Sequence, residues 1–220
     1  MVENADAIDF CKLPVSDFQE SIETVKQKRK TQIVELSNSE NGVKNLKILI
    51  EFIRPETKLV MVGDNYDVNA LVGIGKELGW EMYIVGRKKK VPKATFSNVK
   101  KVFEYEEYAQ VPMDDYTATV LMSHDYNWDK TLLPKILEQK PSYVGMLGPK
   151  KRMQKMQKEL NNSLDQVSFF YSPVGLDIGA ESPEEIAISI CSEIIATFRN
   201  RDGKALRERE GTIHERETKT

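Results

Sequence analysis

Cysteine and histidine are almost missing from this chain of 220 residues: Cys11, Cys191, His124 and His214 are the full set. Two cysteines exclude a disulfide-built scaffold. With only two histidines beside them, a zinc site of Cys and His ligands is not expected. No apolar run nears the roughly 20 residues that a bilayer span needs, and the acidic opening MVENADAIDF lacks a secretory pattern. The expected compartment is the cytoplasm. An excess of either charge is lacking too: 32 Lys and Arg against 34 Asp and Glu leave a net charge of -2, which gives no global pull toward nucleic acid or membrane. Neither is expected as a partner. No internal repeat or low-complexity stretch is visible.

What is present is an ordinary soluble composition, 40% hydrophobic and 30% charged, long enough for one sizeable core and an extension. Residues 1–55 read as a helix from Pro14 to Lys30, a strand from Gln32 to Leu36 and a second helix near Val43 to Phe52. That is too little to close a core. From Lys58 the texture changes to apolar runs alternating with helical stretches: KLVMV (Lys58 to Val62), EMYIV (Glu81 to Val85), a weaker KKVFEY (Lys100 to Tyr105), TATVLM (Thr117 to Met122), SYVGML (Ser142 to Leu147) and VSFFY (Val167 to Tyr171). Helices are expected at Asp67 to Leu78, Asp129 to Gln139, Lys150 to Leu160 and Pro183 to about Phe198. Continuous apolar strands alternating with helices predict an α/β fold, a doubly wound parallel sheet of the Rossmann type over 56–200 with strand order 3-2-1-4-5-6. Residues 201–220 read as a charged tail.

In such sheets ligands bind outside the carboxyl ends of the strands, beside the switch in strand order. The unusual residues follow those ends: GDNYD after the first strand, GRKKK after the second, SHDYN after the fourth, GPKKR after the fifth and PVGLDIG after the sixth. The candidate binding set is therefore Gly63, Asp64, Asn65, Ser123, His124, Asp125, Gly148, Lys150, Arg152, Gly175, Asp177 and Gly179, with Asp177 reaching into the crevice between the first and fourth loops. Ser123, His124 and Asp125 are consecutive and cannot form a catalytic triad, whose members converge from separate places. His124 can donate to a ligand oxygen or hold its own loop. Asp177 can accept from a ligand N–H or close a turn on its own backbone; Lys150 and Arg152 suit phosphate oxygens. Arg87 with Lys88 suits a ribose 2′-phosphate, a solvated loop or a docking patch. Ser182, Pro183 and Glu185 form a helix entrance with a capping box, and Gly175 and Gly179 free the backbone before it.

From about Lys58 onward the chain resembles the Rossmann domain of the XdhC/CoxI family. The resemblance is carried by SHDYNWDKTLL (Ser123 to Leu133), YVGMLGPKKR (Tyr143 to Arg152), PVGLDIGAESPEEIAISICSEI (Pro173 to Ile194) and GKALREREGTIH (Gly203 to His214), and covers roughly three quarters of the sequence. It implies an accessory protein that binds the molybdenum cofactor (molybdopterin), assists its sulfuration and hands it to a xanthine dehydrogenase-type molybdenum hydroxylase. The implied partners are that hydroxylase and a cysteine desulfurase; a homodimer is expected, and cofactor handling rather than turnover. Two departures stand out. Residues 1–50 lack the glycine-rich, cysteine-containing motif common in the family's N-terminal domain, and Cys11 does not replace it. The first loop is Gly63-Asp64-Asn65 where the family often has GxG, which weighs against an alternative, an NAD(P)-binding oxidoreductase. A non-catalytic scaffold for a partner protein is the other alternative.

Overall fold

The computed structural model describes residues 15–36, 46–208 and 210; Cys11, His214 and the first residue of the expected opening helix, Pro14, lie outside them. The chain divides into two compact units, Met1–Pro55 and Glu56–Thr220.

In the first unit a 3-10 turn, Val15–Phe18, leads into helix α1, Gln19–Lys28. Strand β1, Gln32–Leu36, then pairs antiparallel with β2, Leu46–Ile50. The second expected helix near Val43 to Phe52 is thus corrected: Leu46–Ile50 is a strand. Its five residues, LKILI, are too few for periodicity to separate helix from strand. Pairing decides, with Lys47 opposite Glu35 in register and their charges 2.6 Å apart.

The second unit is a six-stranded parallel sheet made of β3 (Lys58–Val62), β4 (Glu81–Val85), β5 (Lys101–Phe103), β6 (Thr117–Leu121), β7 (Tyr143–Met146) and β8 (Phe170–Tyr171). Its order is β5-β4-β3-β6-β7-β8, the expected 3-2-1-4-5-6. Strands are added to one side of β3 and then to the other, so the strand order switches between β3 and β6 and opens a crevice at their carboxyl ends. The helices are α2 (Tyr66–Glu77), a single turn α3 (Lys93–Phe96), α4 (Tyr126–Glu138), α5 (Lys150–Leu160) and α6 (Pro183–Phe198).

Alternation along β3 explains why its run had to be wholly apolar. Leu59 and Met61 pack with Val68, Leu71 and Val72 of α2 and Ile190 and Ile194 of α6, while Val60 and Val62 pack on the other face with Leu132, Leu133 and Ile136 of α4 and Met153 and Met156 of α5. Both faces are covered, so Leu59 to Val62 are all apolar and buried; each such side chain contributes about 1.5–3 kcal/mol of burial. Helix α6 starts as the sequence implies: Ser182 Oγ accepts from the Glu185 amide at 3.2 Å, and the Glu185 carboxylate accepts from the Ser182 and Glu181 amides.

The last strand is shorter than VSFFY suggests. A 3-10 turn at Leu164–Gln166 delays pairing until Phe170. Helices α2 and α4 begin earlier than expected, at Tyr66 and Tyr126, because Asn65 and Asp125 cap them. Among the described residues no helix is long and apolar enough to cross a membrane.

Candidate functional site

The crevice between β3 and β6 is a cavity of about 530 Å3 lined by Asp64, Asn65, Arg87 and Lys90 on one side and Ser123, His124, Asp125 and Tyr126 on the other, within the usual range for small-molecule sites. Five of the residues expected here line it. Most of them are already bonded to the protein.

Gly63 makes the close approach between the two strand ends possible: with φ at +156°, a Cβ on it would sit 2.8 Å from the Met122 carbonyl oxygen. Asp64 follows. Its side chain is only 4% exposed and accepts from Arg87 Nε at 2.6 Å, Arg87 Nη2 at 2.8 Å and the Arg87 amide at 3.0 Å. Burial raises the Asp64 carboxyl, but the bonds and charge of Arg87 outweigh it and hold the group below its ordinary value of 3.8. Asp64 is thus a neutralised anchor for Arg87, whose third guanidinium nitrogen stays unbonded among the described residues. Asn65 is committed too: Oδ1 accepts from the Val68 amide, capping α2, and Nδ2 donates to the Met122 carbonyl. The helix end that would meet a pyrophosphate in a dinucleotide site is therefore closed by the chain's own side chain.

Across the crevice, Ser123 is buried. Its hydroxyl donates to Asp129 Oδ1 at 2.6 Å and accepts from the Asp125 amide at 3.0 Å. Asp125 Oδ1 caps α4 by accepting from the Asn127 and Trp128 amides. Among the described residues its other carboxylate oxygen is free to accept from a ligand. His124 adopts a left-handed conformation, φ 59°, that lifts its imidazole out of the loop. Nε2 lies 2.8 Å from Asp67 Oδ2, and the ring is 61% exposed. The Asp67 contact fixes the ring, and Nδ1 remains for a ligand.

Arg152, expected near phosphate oxygens, is instead spent on Asp129: Nη2 to Oδ2 is 2.7 Å, with the Asp129 side chain 1% exposed. Burial pushes the Asp129 carboxyl up, and the bonds from Ser123 and Arg152 recover only part of that. The chain Arg152–Asp129–Ser123–Asp125 ties the start of α5 to the SHD loop. Gly148 lets it form, since a Cβ there would sit 3.1 Å from Arg152 Cδ. Lys150 is exposed at the first residue of α5.

Gly175, Asp177 and Gly179 do not join the crevice. They line a second concavity of about 470 Å3, walled by Leu147, Pro173, Val174, Leu176, Ile178, Ala180, Ile186 and Ser189. No described residue lines both concavities, and the N-terminal ends of α2 and α6 meet where the Tyr66 hydroxyl and Glu184 Oε1 are 3.5 Å apart.

Residues that sequence reasoning passed over include Lys90 and Tyr126 in the lining, Asp129 in the buried chain, and Tyr105. Tyr105 is stacked on Trp128 with ring centroids 4.4 Å apart, and its buried hydroxyl has no partner among the described residues. Burial, then the nearby Asp64 charge, push that hydroxyl's pKa up. Lys90 and Tyr126 belong to the GRKKK and SHDYN segments, so attention to whole loops would have found them. Asp129 carries no such signal. Among the described residues no cluster of His, Cys, Asp and Glu suits a metal ion.

Known proteins share this architecture. A crystallised xanthine dehydrogenase from Bacillus halodurans aligns with a TM-score of 0.62 at 26% identity, over 74% of this chain and 48% of that one. In sequence the chain is 27% identical over 201 residues to a probable xanthine dehydrogenase subunit of Bacillus subtilis, covering 90% of this chain and 56% of that protein. It is 26% identical over 145 residues to the molybdenum cofactor insertion chaperone PaoD of Escherichia coli, covering 64% of this chain and 40% of that protein. It thus spans about half the length of the relatives it matches. The family model for the XdhC Rossmann domain matches residues 59–194, all of the parallel sheet but Lys58 and most of α6. By that match, over more than half its length, the chain belongs to the XdhC family.

Proposed function

We propose that this protein handles the molybdenum cofactor: it binds the pterin in the crevice between β3 and β6, assists its sulfuration and delivers it to a molybdenum hydroxylase of the xanthine dehydrogenase type. Family membership and the relative named as an insertion chaperone support the role. The donor set of the crevice supports the site. Arg87, held rigidly by Asp64, and Lys90 offer cations to a phosphate. The free oxygen of Asp125 accepts from pterin N–H groups, and His124, braced by Asp67, adds a polar contact. Asn65 carries the choice against a dinucleotide, because its side chain stands where the second glycine of a dinucleotide loop leaves backbone exposed. A cysteine desulfurase as sulfur donor and a homodimeric assembly complete the proposal.

The test is to purify the protein from cells that make the cofactor, oxidise the released pterin and measure its fluorescence. The wild type carries pterin, and an Arg87→Ala, Lys90→Ala double variant carries about tenfold less, the loss expected when charge-assisted bonds to a phosphate are removed. A wild type without pterin that also fails to affect activation of the apo-hydroxylase overturns the reading.

A further inference from the structure

The second concavity has no part in the reading above. Its walls are apolar, from Leu147, Val174, Leu176, Ala180 and Ile186, and Ile178 stands 53% exposed beside them. Its charged lining residue is Asp177, and the chain runs on from it through Glu181 and Glu184, both exposed. Among the described residues no ion pair neutralises any of the three. A phosphate-bearing ligand is repelled here and attracted to Arg87 and Lys90. The crevice balances Arg87 and Lys90 against Asp64 and Asp125, whereas the charge lining this concavity is acidic only.

The loop is also fixed in advance. The Val174 amide donates to the Met146 carbonyl at 3.1 Å, and the Gly175 amide to Glu193 Oε2 at 2.9 Å. Ser189 Oγ donates to the Leu176 carbonyl at 2.6 Å. The Tyr143 hydroxyl, buried in the sheet, holds the same Glu193 oxygen. A surface ordered before binding loses little freedom on association. A contiguous apolar concavity rimmed by charge marks a protein contact, and the sign of the charge selects the partner.

The geometry points to a docking site for a protein segment that presents an apolar side chain flanked by lysine or arginine. The apolar anchor seats against Leu176, Ile178 and Ile186, and the flanking cations meet Asp177, Glu181 and Glu184. This assignment rests on the shape and charge of the concavity, not on the ligand of the crevice.

An array of short peptides tests it, each with one aliphatic or aromatic centre between lysines and arginines, beside copies whose flanks are glutamate and aspartate, all probed with the full chain. Basic-flanked peptides are expected to retain the protein, and their acidic copies not. In solution, Ile178→Asp is expected to weaken the best peptide by about tenfold. Glu181→Lys is expected to weaken it by about threefold, and less at high salt. Ile178 is exposed, so its variant keeps the wild-type melting temperature. The proposal is overturned if no basic-flanked peptide binds, if acidic copies bind equally, or if Ile178→Asp has no effect. It is also overturned if inorganic pyrophosphate displaces the peptide, or if Ile178→Asp dissolves a dimer seen by sedimentation, which would make a second copy the occupant. Loss of pterin from the crevice variants leaves every one of these outcomes unchanged.

Discussion

The crevice and the last loop lie side by side at the carboxyl ends of one sheet, yet they are built by opposite means. In the crevice, side chains hold side chains: Arg87 on Asp64, Arg152 on Asp129, His124 on Asp67. In the last loop, backbone amides and carbonyls are held from beneath by Glu193 and Ser189, and the side chains at the tip are left free. A charged residue in a loop after a strand is thus not yet a ligand contact. What remains for a ligand is the set still unbonded after the protein's own pairs are closed. In the crevice that set is mixed, with Lys90, one Arg87 nitrogen, His124 Nδ1 and an Asp125 oxygen, and in the last loop it is apolar and acidic.

The largest expected effect falls on the last loop. Gly175 has φ +105°, and a Cβ there would run into Ser189 Oγ, whereas Gly179, φ +70°, faces open space. Gly175→Val combines backbone strain with overpacking and should cost about 4 kcal/mol. Gly179→Ala should cost about 1 kcal/mol from backbone strain alone. Urea unfolding midpoints read both, and equal losses would break the distinction between the two glycines.

The crevice has its own buried dependency. Arg152→Ala leaves Asp129 without its cation and should cost about 3 kcal/mol. Its effect should reach the SHD loop as faster amide exchange at Ser123 to Asp125, while Gly175 stays protected. Exchange that rises equally in both loops would show that the two surfaces are not independently held.

A smaller effect is set by pH. The Asp64 carboxyl lies below 3.8 in the folded protein because Arg87 binds its charged form. Its contribution is complete above the ordinary value and lost as pH falls through the lower folded value. The stability advantage of the wild type over Arg87→Ala should therefore hold above pH 3.8 and shrink below it. Denaturant titrations across that range check the sign; an advantage that grows on acidification contradicts the clamp. Smallest of all, Cys191 on α6 is buried and its thiol is pushed up to about 12 by desolvation. Peptide mapping after iodoacetamide at neutral pH should find Cys191 unmodified in the native protein and modified after denaturation.

The sheet was legible because six apolar runs each serve two covered faces, and α6 because Ser182, Pro183 and Glu185 spell its entrance. The β2 strand was not, since five residues carry no usable period and only pairing with β1 decides. The crevice was legible as a place, from the strand ends that flank it. The work of its residues was not. Asp129 reads as an ordinary acid early in a helix until Arg152, 23 positions later, is seen bonded to it. Asp177 reads as crevice-bound until the fold puts it in the lining of the second concavity. Both depend on contacts between distant segments, which local patterns do not carry.

A crystal structure of the protein with molybdenum cofactor bound tests the central claim most directly. The account predicts cofactor density between the β3 and β6 loops, with phosphate oxygens against Arg87 and Lys90 and the pterin beside Asp125. Density seated only against Asp177 and Ile178, with the crevice left to solvent, would contradict it.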